Sequence, residues 1–218
     1  MKLAFLPCAL ALAVSVALAP FVKAADITPS VAPQGERESI LVAVLEQMDF
    51  EGVPEPPPGP GQAPKPPAHK AVIVVDETYE ICAPSAKPKC GPTEDPDLFL
   101  SKRLDARVPK QLRQELVAAN ITSARFECPR LKWVQCESAA TISSIFRNGG
   151  WWDDFYRKYP KTAGVVHFSN VVLSHDGKSA LLYITHQCDG LCGTGNLVLL
   201  QKTEGTWVVR HREQLWIS

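Results

Sequence analysis

The last third of the chain alternates apolar and polar residues in four runs, and this pattern limits the possible folds more than any other feature. The runs are residues 164–174, 180–187, 196–202 and 206–217. Asp176-Gly177 separates the first two runs and Glu204-Gly205 the last two, and both pairs favour β-hairpin turns. The sequence therefore predicts a four-stranded antiparallel meander with one face covered by helices.

Helical spacing indicates which segments cover the sheet. Aromatic residues recur on one face of a helix just before the first strand: Trp151, Trp152, Phe155, Tyr156 and Tyr159. Pro160 ends this helix, because the residue before a proline disfavours the helical conformation. Apolar spacing also predicts a helix over 36–48, helical segments within 97–116 and 141–147, and a strand at 71–75. The predicted fold class is α+β, with N-terminal helices packed on the C-terminal meander.

The N-terminus has the features of a secretory signal peptide. Met1-Lys2 is followed by an apolar run, and Val22-Lys-Ala24 suits signal peptidase, so cleavage is expected after Ala24. After the signal peptide (1–24) come an N-terminal helix region (25–52), a proline-rich insertion or linker (53–70) and an α+β domain (71–218). Residues 25–218 are expected to form one domain around the insertion. A periplasmic or secreted protein is expected, with no stable membrane span after cleavage.

The cysteines that remain after cleavage indicate disulfide bonds, because an even number in an exported chain favours pairing. They are Cys82, Cys90, Cys128, Cys136, Cys188 and Cys192. Six cysteines allow about fifteen pairings, and the sequence does not choose among them rigorously. The simplest pairing joins neighbours along the chain: Cys82 with Cys90, Cys128 with Cys136, and Cys188 with Cys192. Each disulfide would then staple a short loop.

The charge balance argues against one class of partner. The full chain carries 23 basic and 23 acidic side chains. Loss of the signal peptide removes Lys2 and Lys23 and leaves a slightly acidic chain without a basic patch. Nucleic acid is therefore not an expected partner. The expected partner is an unknown protein or small ligand in the cell envelope.

Motifs in the last third resemble those of a family of exported bacterial proteins. They are Trp152-x-x-Phe-Tyr-x-x-Tyr-Pro160, Cys188-x-Gly-Leu-Cys-Gly-x-Gly195 and Trp216-Ile-Ser218. The resemblance covers residues 141–218 well and residues 36–78 more loosely. The family has no assigned activity, so the resemblance implies the fold and an extracytoplasmic location, and it implies no catalytic residues. The proline-rich insertion and the additional cysteines depart from the family pattern.

One constellation could carry chemistry. It consists of His186, Cys188 and Cys192, with Asp189 between the cysteines and with His167 and His175 on the preceding strand. Two thiolates and two imidazoles could bind zinc tetrahedrally, whereas an oxidising compartment favours a structural disulfide. A strained ring of this size could also be redox-active. The main expectation is a structural disulfide, with no metal and no cofactor.

The expected function is that of a non-catalytic binding or interaction module. The chain has no Gly-x-Ser-x-Gly and no His-Glu-x-x-His motif, and no catalytic residue is assigned. The expected binding residues lie in and near a glycine-rich loop over 188–195: Trp152, His186, Asp189 and Gly195. The aromatic stripe around Trp152 fits a core position, or a ligand groove if it is exposed. The alternative is a metal- or thiol-dependent enzyme that uses His186, Cys188 and Cys192.

Overall fold

A mixed β-sheet lies at the centre of the protein, with helices on both of its faces. The computed structural model describes residues 29–50, 71–81, 96–147 and 151–218. The helices are α1 (Gln34–Gln47), α2 (Pro96–Leu100), α3 (Lys110–Ala119), α4 (Ala139–Arg147) and α5 (Trp152–Lys158). The strands are β1 (Ala71–Val75), β2 (Val134–Glu137), β3 (Thr162–Phe168), β4 (Val172–Leu173), β5 (Ser179–Asp189), β6 (Cys192–Thr203) and β7 (Thr206–Ile217).

The sheet is larger than the four-stranded meander that the sequence predicts. Within the described ranges it has seven strands in the order β2-β1-β3-β5-β6-β7, and β4 pairs with β5. β1 runs parallel to both β2 and β3, while the other pairs are antiparallel. The short apolar segment at 71–75 therefore forms a strand of the same sheet and runs parallel to both of its neighbours. The α+β class with disulfides is confirmed, and the sheet is mixed.

The first predicted strand, 164–174, is interrupted in the structure. β3 ends at Phe168 and β4 begins at Val172. Between them, the Asn170 backbone N–H donates to the side-chain oxygen of Asn120 at 2.7 Å, and the Asn170 side chain donates to the Ala119 carbonyl at 2.9 Å. The chain leaves the ladder here because its polar groups bind the C-terminal end of α3 instead.

Alternation along the strands divides the core between the two faces of the sheet. On β5, Leu182 and Ile184 pack on the face that α1 covers, and Leu181 and Tyr183 pack on the opposite face. That opposite face carries α2 and α3 over one part of the sheet, and α4 and α5 over another. Strands β3, β5 and β6 are therefore largely buried on both sides, whereas most residues of β7 are exposed or half-buried.

Helix α5 forms where the aromatic spacing predicts it. Acidic residues Asp153 and Asp154 lie in its first turn and basic residues Arg157 and Lys158 in its last turn, an order that suits the helix dipole. Its buried face carries Trp152, Phe155 and, at the C-terminal end, Tyr159. The aromatic stripe is therefore largely core, as its spacing indicates.

Two of the expected disulfides lie within the described residues and are formed. Cys128–Cys136 and Cys188–Cys192 have Cα–Cα distances of 5.8 Å and 5.1 Å. The expected Cys82–Cys90 pair lies outside the described residues, as do the signal peptide at 1–24 and the proline-rich segment at 53–70. None of the helices in the described ranges is long and apolar enough to cross a membrane.

Candidate functional site

A cleft lies on the face of the sheet that carries α4 and α5. It consists of two adjoining cavities of about 530 Å³ and about 360 Å³. We call these the larger lobe and the smaller lobe. They share Phe146, Trp152, His167 and Gln187 as lining residues, so the cleft is continuous across β3 and β5.

One wall of the larger lobe is the indole ring of Trp216, near the end of β7. The ring lies against Gly193 and Gly195 of β6, where a Cβ atom placed on Gly195 would come within 2.0 Å of the Trp216 Nε1. The Trp216 Nε1–H donates to the Tyr183 hydroxyl at 2.6 Å. Glycine is needed at Gly195 because only a residue without a side chain leaves room for this ring. Trp216 therefore lines the cleft with its ring while its N–H is occupied.

A second wall is formed by the start of α5 and the end of α4. Trp152 is 8% exposed, and its ring packs edge-on against Phe146 at 5.1 Å between centroids. The neighbouring Trp151 is 61% exposed and lies beside Gly190 in the turn between β5 and β6. An exposed tryptophan next to a buried one gives this wall both a rigid base and an accessible aromatic surface.

The floor of the cleft is polar, although the strands beneath it are buried. His167 on β3 is paired with Thr185 on β5, and Gln187 follows two residues later on the same face. The Nδ1 atom of His167 is buried and has no hydrogen-bond partner among the described residues. Burial lowers the pKa of His167 to about 4, so the imidazole is neutral at physiological pH. A buried polar atom without a partner is uncommon in a folded protein, and this imidazole lies in the lining shared by both lobes.

The two lobes differ in charge. Arg147 lines the smaller lobe and Asp189 lines the larger one. One carboxylate oxygen of Asp189 accepts the Gly190 backbone N–H at 2.7 Å. Burial, and secondly the Asp189 carboxylate, raise the pKa of Tyr156 to about 12, and the Tyr156 hydroxyl donates to the Cys188 carbonyl at 2.6 Å. The negative charge at the mouth of the larger lobe is thus held in place by the β5–β6 turn.

The residues that the sequence predicts to bind a ligand lie on both faces of the sheet. Trp152 and Asp189 line the cleft, and Gly195 makes room for its Trp216 wall. His186 is on the other face, where its Nε2 lies 2.6 Å from the Ala163 carbonyl oxygen and its ring packs edge-on against Phe50. Alternation along β5 causes this separation, because Thr185 and Gln187 face the cleft and His186 cannot.

The glycine-rich loop expected at 188–195 is mostly strand. β5 continues to Asp189 and β6 begins at Cys192, so the connection is a tight turn through Gly190 and Leu191. The Cys188–Cys192 disulfide joins the two strands across this turn. The disulfide therefore links the two strands at the end of the β5–β6 hairpin.

The four-ligand zinc arrangement that the sequence allows does not assemble in this fold. Cys188 and Cys192 are bonded to each other, while His167 and His186 project from opposite faces of the sheet. In this structure the two cysteines are present as a disulfide, and His186 lies away from the cleft.

A separate cluster could accommodate a cation by its geometry. His211 on β7 lies 3.2 Å from the Glu213 carboxylate and 3.6 Å from that of Asp105. Arg107 already donates to Asp105 and lowers the pKa of that carboxyl well below its usual range. The cluster is explained as a polar contact that ties the segment between α2 and α3 to β7.

Sequence reasoning did not select Thr185 and Gln187 of the cleft floor, and it considered His167 only as a possible zinc ligand. A signal for two of them exists in β5, where the face that begins with buried Leu181 and Tyr183 continues with Thr185 and Gln187. A change from apolar to polar on the helix-covered face of a strand indicates a cavity. For His167 the sequence gives the strand position but no indication that the neighbouring helices leave the ring uncovered. No protein-family model, curated protein or solved structure matches this chain.

Proposed function

We propose that this protein is an extracytoplasmic binding protein that holds a small ligand in the aromatic cleft. The observation that carries the proposal is the combination of aromatic walls with a polar floor, in which the buried Nδ1 of His167 has no bonding partner in the described chain. Such a concave site, mostly apolar with a few convergent polar groups, is typical of small-molecule binding.

The chemistry of the floor supports binding rather than catalysis. Thr185 and Gln187 do not titrate near neutral pH. His167, with a pKa of about 4, is a weak base that stays neutral. General acid–base catalysis works best with a group whose pKa lies near the operating pH, so this floor is better suited to hydrogen bonding than to proton transfer.

Export is the second part of the proposal. The disulfide pairs Cys128–Cys136 and Cys188–Cys192 suit an oxidising compartment, and residues 1–24 have the pattern of a cleavable signal. The resemblance of residues 141–218 to exported bacterial proteins supports the same location. The ligand is accordingly expected in the periplasm or outside the cell.

The proposal is tested by tryptophan fluorescence, since Trp151, Trp152 and Trp216 line the larger lobe. The full chain is expressed with its own N-terminus in a bacterial host and purified from the periplasm. It is titrated with a panel of amino acids and dipeptides, mono- and disaccharides, and alkylammonium compounds. Saturable quenching by one class, lost in Trp151→Ala and kept in the surface control Ile121→Ala, supports a ligand in the cleft.

Two outcomes would refute the proposal. Either no compound of the panel binds at millimolar concentration, or binding is equally strong in Trp151→Ala and the wild type. Recovery of the protein only in the cytoplasm would separately refute the exported location.

A further inference from the structure

We propose that the larger lobe of the cleft binds an organic cation, with a methylated ammonium group seated among the aromatic rings next to Asp189. This inference rests on the proposed binding function and names the chemical class of its ligand. The lobe combines five aromatic side chains with one carboxylate: Tyr79, Phe146, Trp151, Trp152, Trp216 and Asp189. No lysine or arginine is found among its lining residues in the described ranges.

The rings can attract a cation through their faces. An ammonium group within about 6 Å of an aromatic face is attracted by the ring quadrupole, and tryptophan is the strongest partner. The N–H of Trp216 is occupied by Tyr183, so this side chain offers its ring to a ligand. Trp151 also lines the lobe and is 61% exposed, so its ring is accessible. Both tryptophans line the same lobe, and aromatic rings that surround a methylated ammonium group are a known way to bind it.

The charges favour a cation in this lobe over a neutral or anionic ligand. Asp189 lines the larger lobe, and Arg147, the basic residue of the described cleft lining, belongs to the smaller one. His167 between them is neutral at physiological pH and adds no positive charge to the floor. A methylated ammonium needs no hydrogen-bond acceptors, so it can fill the aromatic region while Thr185 and Gln187 bond the rest of the ligand.

The proposal is tested with choline and its neutral isostere 3,3-dimethyl-1-butanol, measured by isothermal titration calorimetry on the purified full-length exported protein. The two probes have the same shape and differ in charge. Choline is expected to bind about tenfold more tightly, since cation–π attraction in a partly desolvated site contributes about 1–2 kcal/mol.

Matched variants locate the cation. Asp189→Asn keeps the oxygen that accepts the Gly190 N–H and removes the charge, and a loss of choline affinity of about fivefold is expected. Asp153→Asn removes an exposed carboxylate on α5 that does not line the cleft, and it should bind choline as the wild type does. Unchanged thermal unfolding of both variants shows that folding is not the cause of the difference.

The outcomes separate this inference from the proposed function. Equal affinity for choline and the isostere, or equal choline affinity in Asp189→Asn and Asp153→Asn, overturns the cation proposal. Binding of a sugar or a dipeptide in the cleft without binding of choline also overturns it and leaves the binding function standing. If no probe binds, both proposals fail.

Discussion

The neutral, buried His167 should make the protein less stable as the pH falls below neutrality. In the folded protein burial lowers the pKa of His167 to about 4, whereas an unfolded histidine titrates near 6.5. The unfolded state therefore binds a proton in a pH window where the folded state does not. Stability contributed by this group is fully present above about pH 6.5 and is lost as the pH falls towards about 4.

The magnitude follows from the two pKa values. The difference of about 2.5 units corresponds to about 3 kcal/mol when the window is crossed completely, at about 1.4 kcal/mol per unit. Between pH 7 and pH 4.5 the expected loss is about 2 kcal/mol, because the transition is not complete at either limit. Part of the ring is accessible in the cleft, so this value is an upper bound.

The assay is urea unfolding at several pH values between 7 and 4.5, on the wild type and on His167→Gln. Glutamine keeps a polar side chain and does not titrate, so the variant should lose most of the pH dependence in this range. His186→Gln is the control: burial also lowers the pKa of His186, but its hydrogen bond to Ala163 opposes the shift, and a smaller effect is expected. The same slope in His167→Gln and the wild type would refute the assignment.

Three further sets of substitutions test a wall of the cleft, a disulfide and the hydrophobic core. Gly195→Ala should cost about 1–3 kcal/mol and red-shift the tryptophan emission, because the new methyl group displaces the packed indole. Gly35→Ala has open space around it and lies in α1, so it should not destabilise the protein and should leave the emission unchanged. Replacing both Cys128 and Cys136 by serine should lower the free energy of unfolding by about 2 kcal/mol, and a reductant should then have no further effect at this pair. Phe155→Ala removes a fully buried ring and should cost about 3–5 kcal/mol in urea unfolding.

The strand pattern of the last third could be predicted because local chemistry decides it. Glu204 and Gly205 adopt positive φ angles of 51° and 82° in the β6–β7 turn, as the hairpin sequence predicts. The parallel pairing of β1 with β2 and β3 could not be predicted in the same way. Those partners are far apart along the chain, and an apolar run such as 71–75 does not indicate which strands it joins.

The residues of the cleft could be predicted from the sequence only in part, for a related physical reason. Trp152 and Asp189 follow from composition near the β5–β6 turn, and both line the cleft. His186 lies at the end of the predicted second strand, and strict alternation along β5 turns it to the face away from the cleft. The presence of His167 in the cleft depends on where α4 and α5 leave the sheet uncovered, and this is a property of tertiary packing.

The contact between the first described helix and the last strand has a consequence for the order in which the chain acquires its structure. The Gln47 side chain of α1 donates a hydrogen bond to the Trp207 carbonyl, 160 residues away in the sequence. The Lys202 ammonium donates to the Glu36 carboxylate, 166 residues away. The core beneath α1 therefore cannot close until the ribosome has delivered the last hairpin. Contacts between residues this far apart along the chain form late in folding, because the loss of loop entropy precedes the energy that they return.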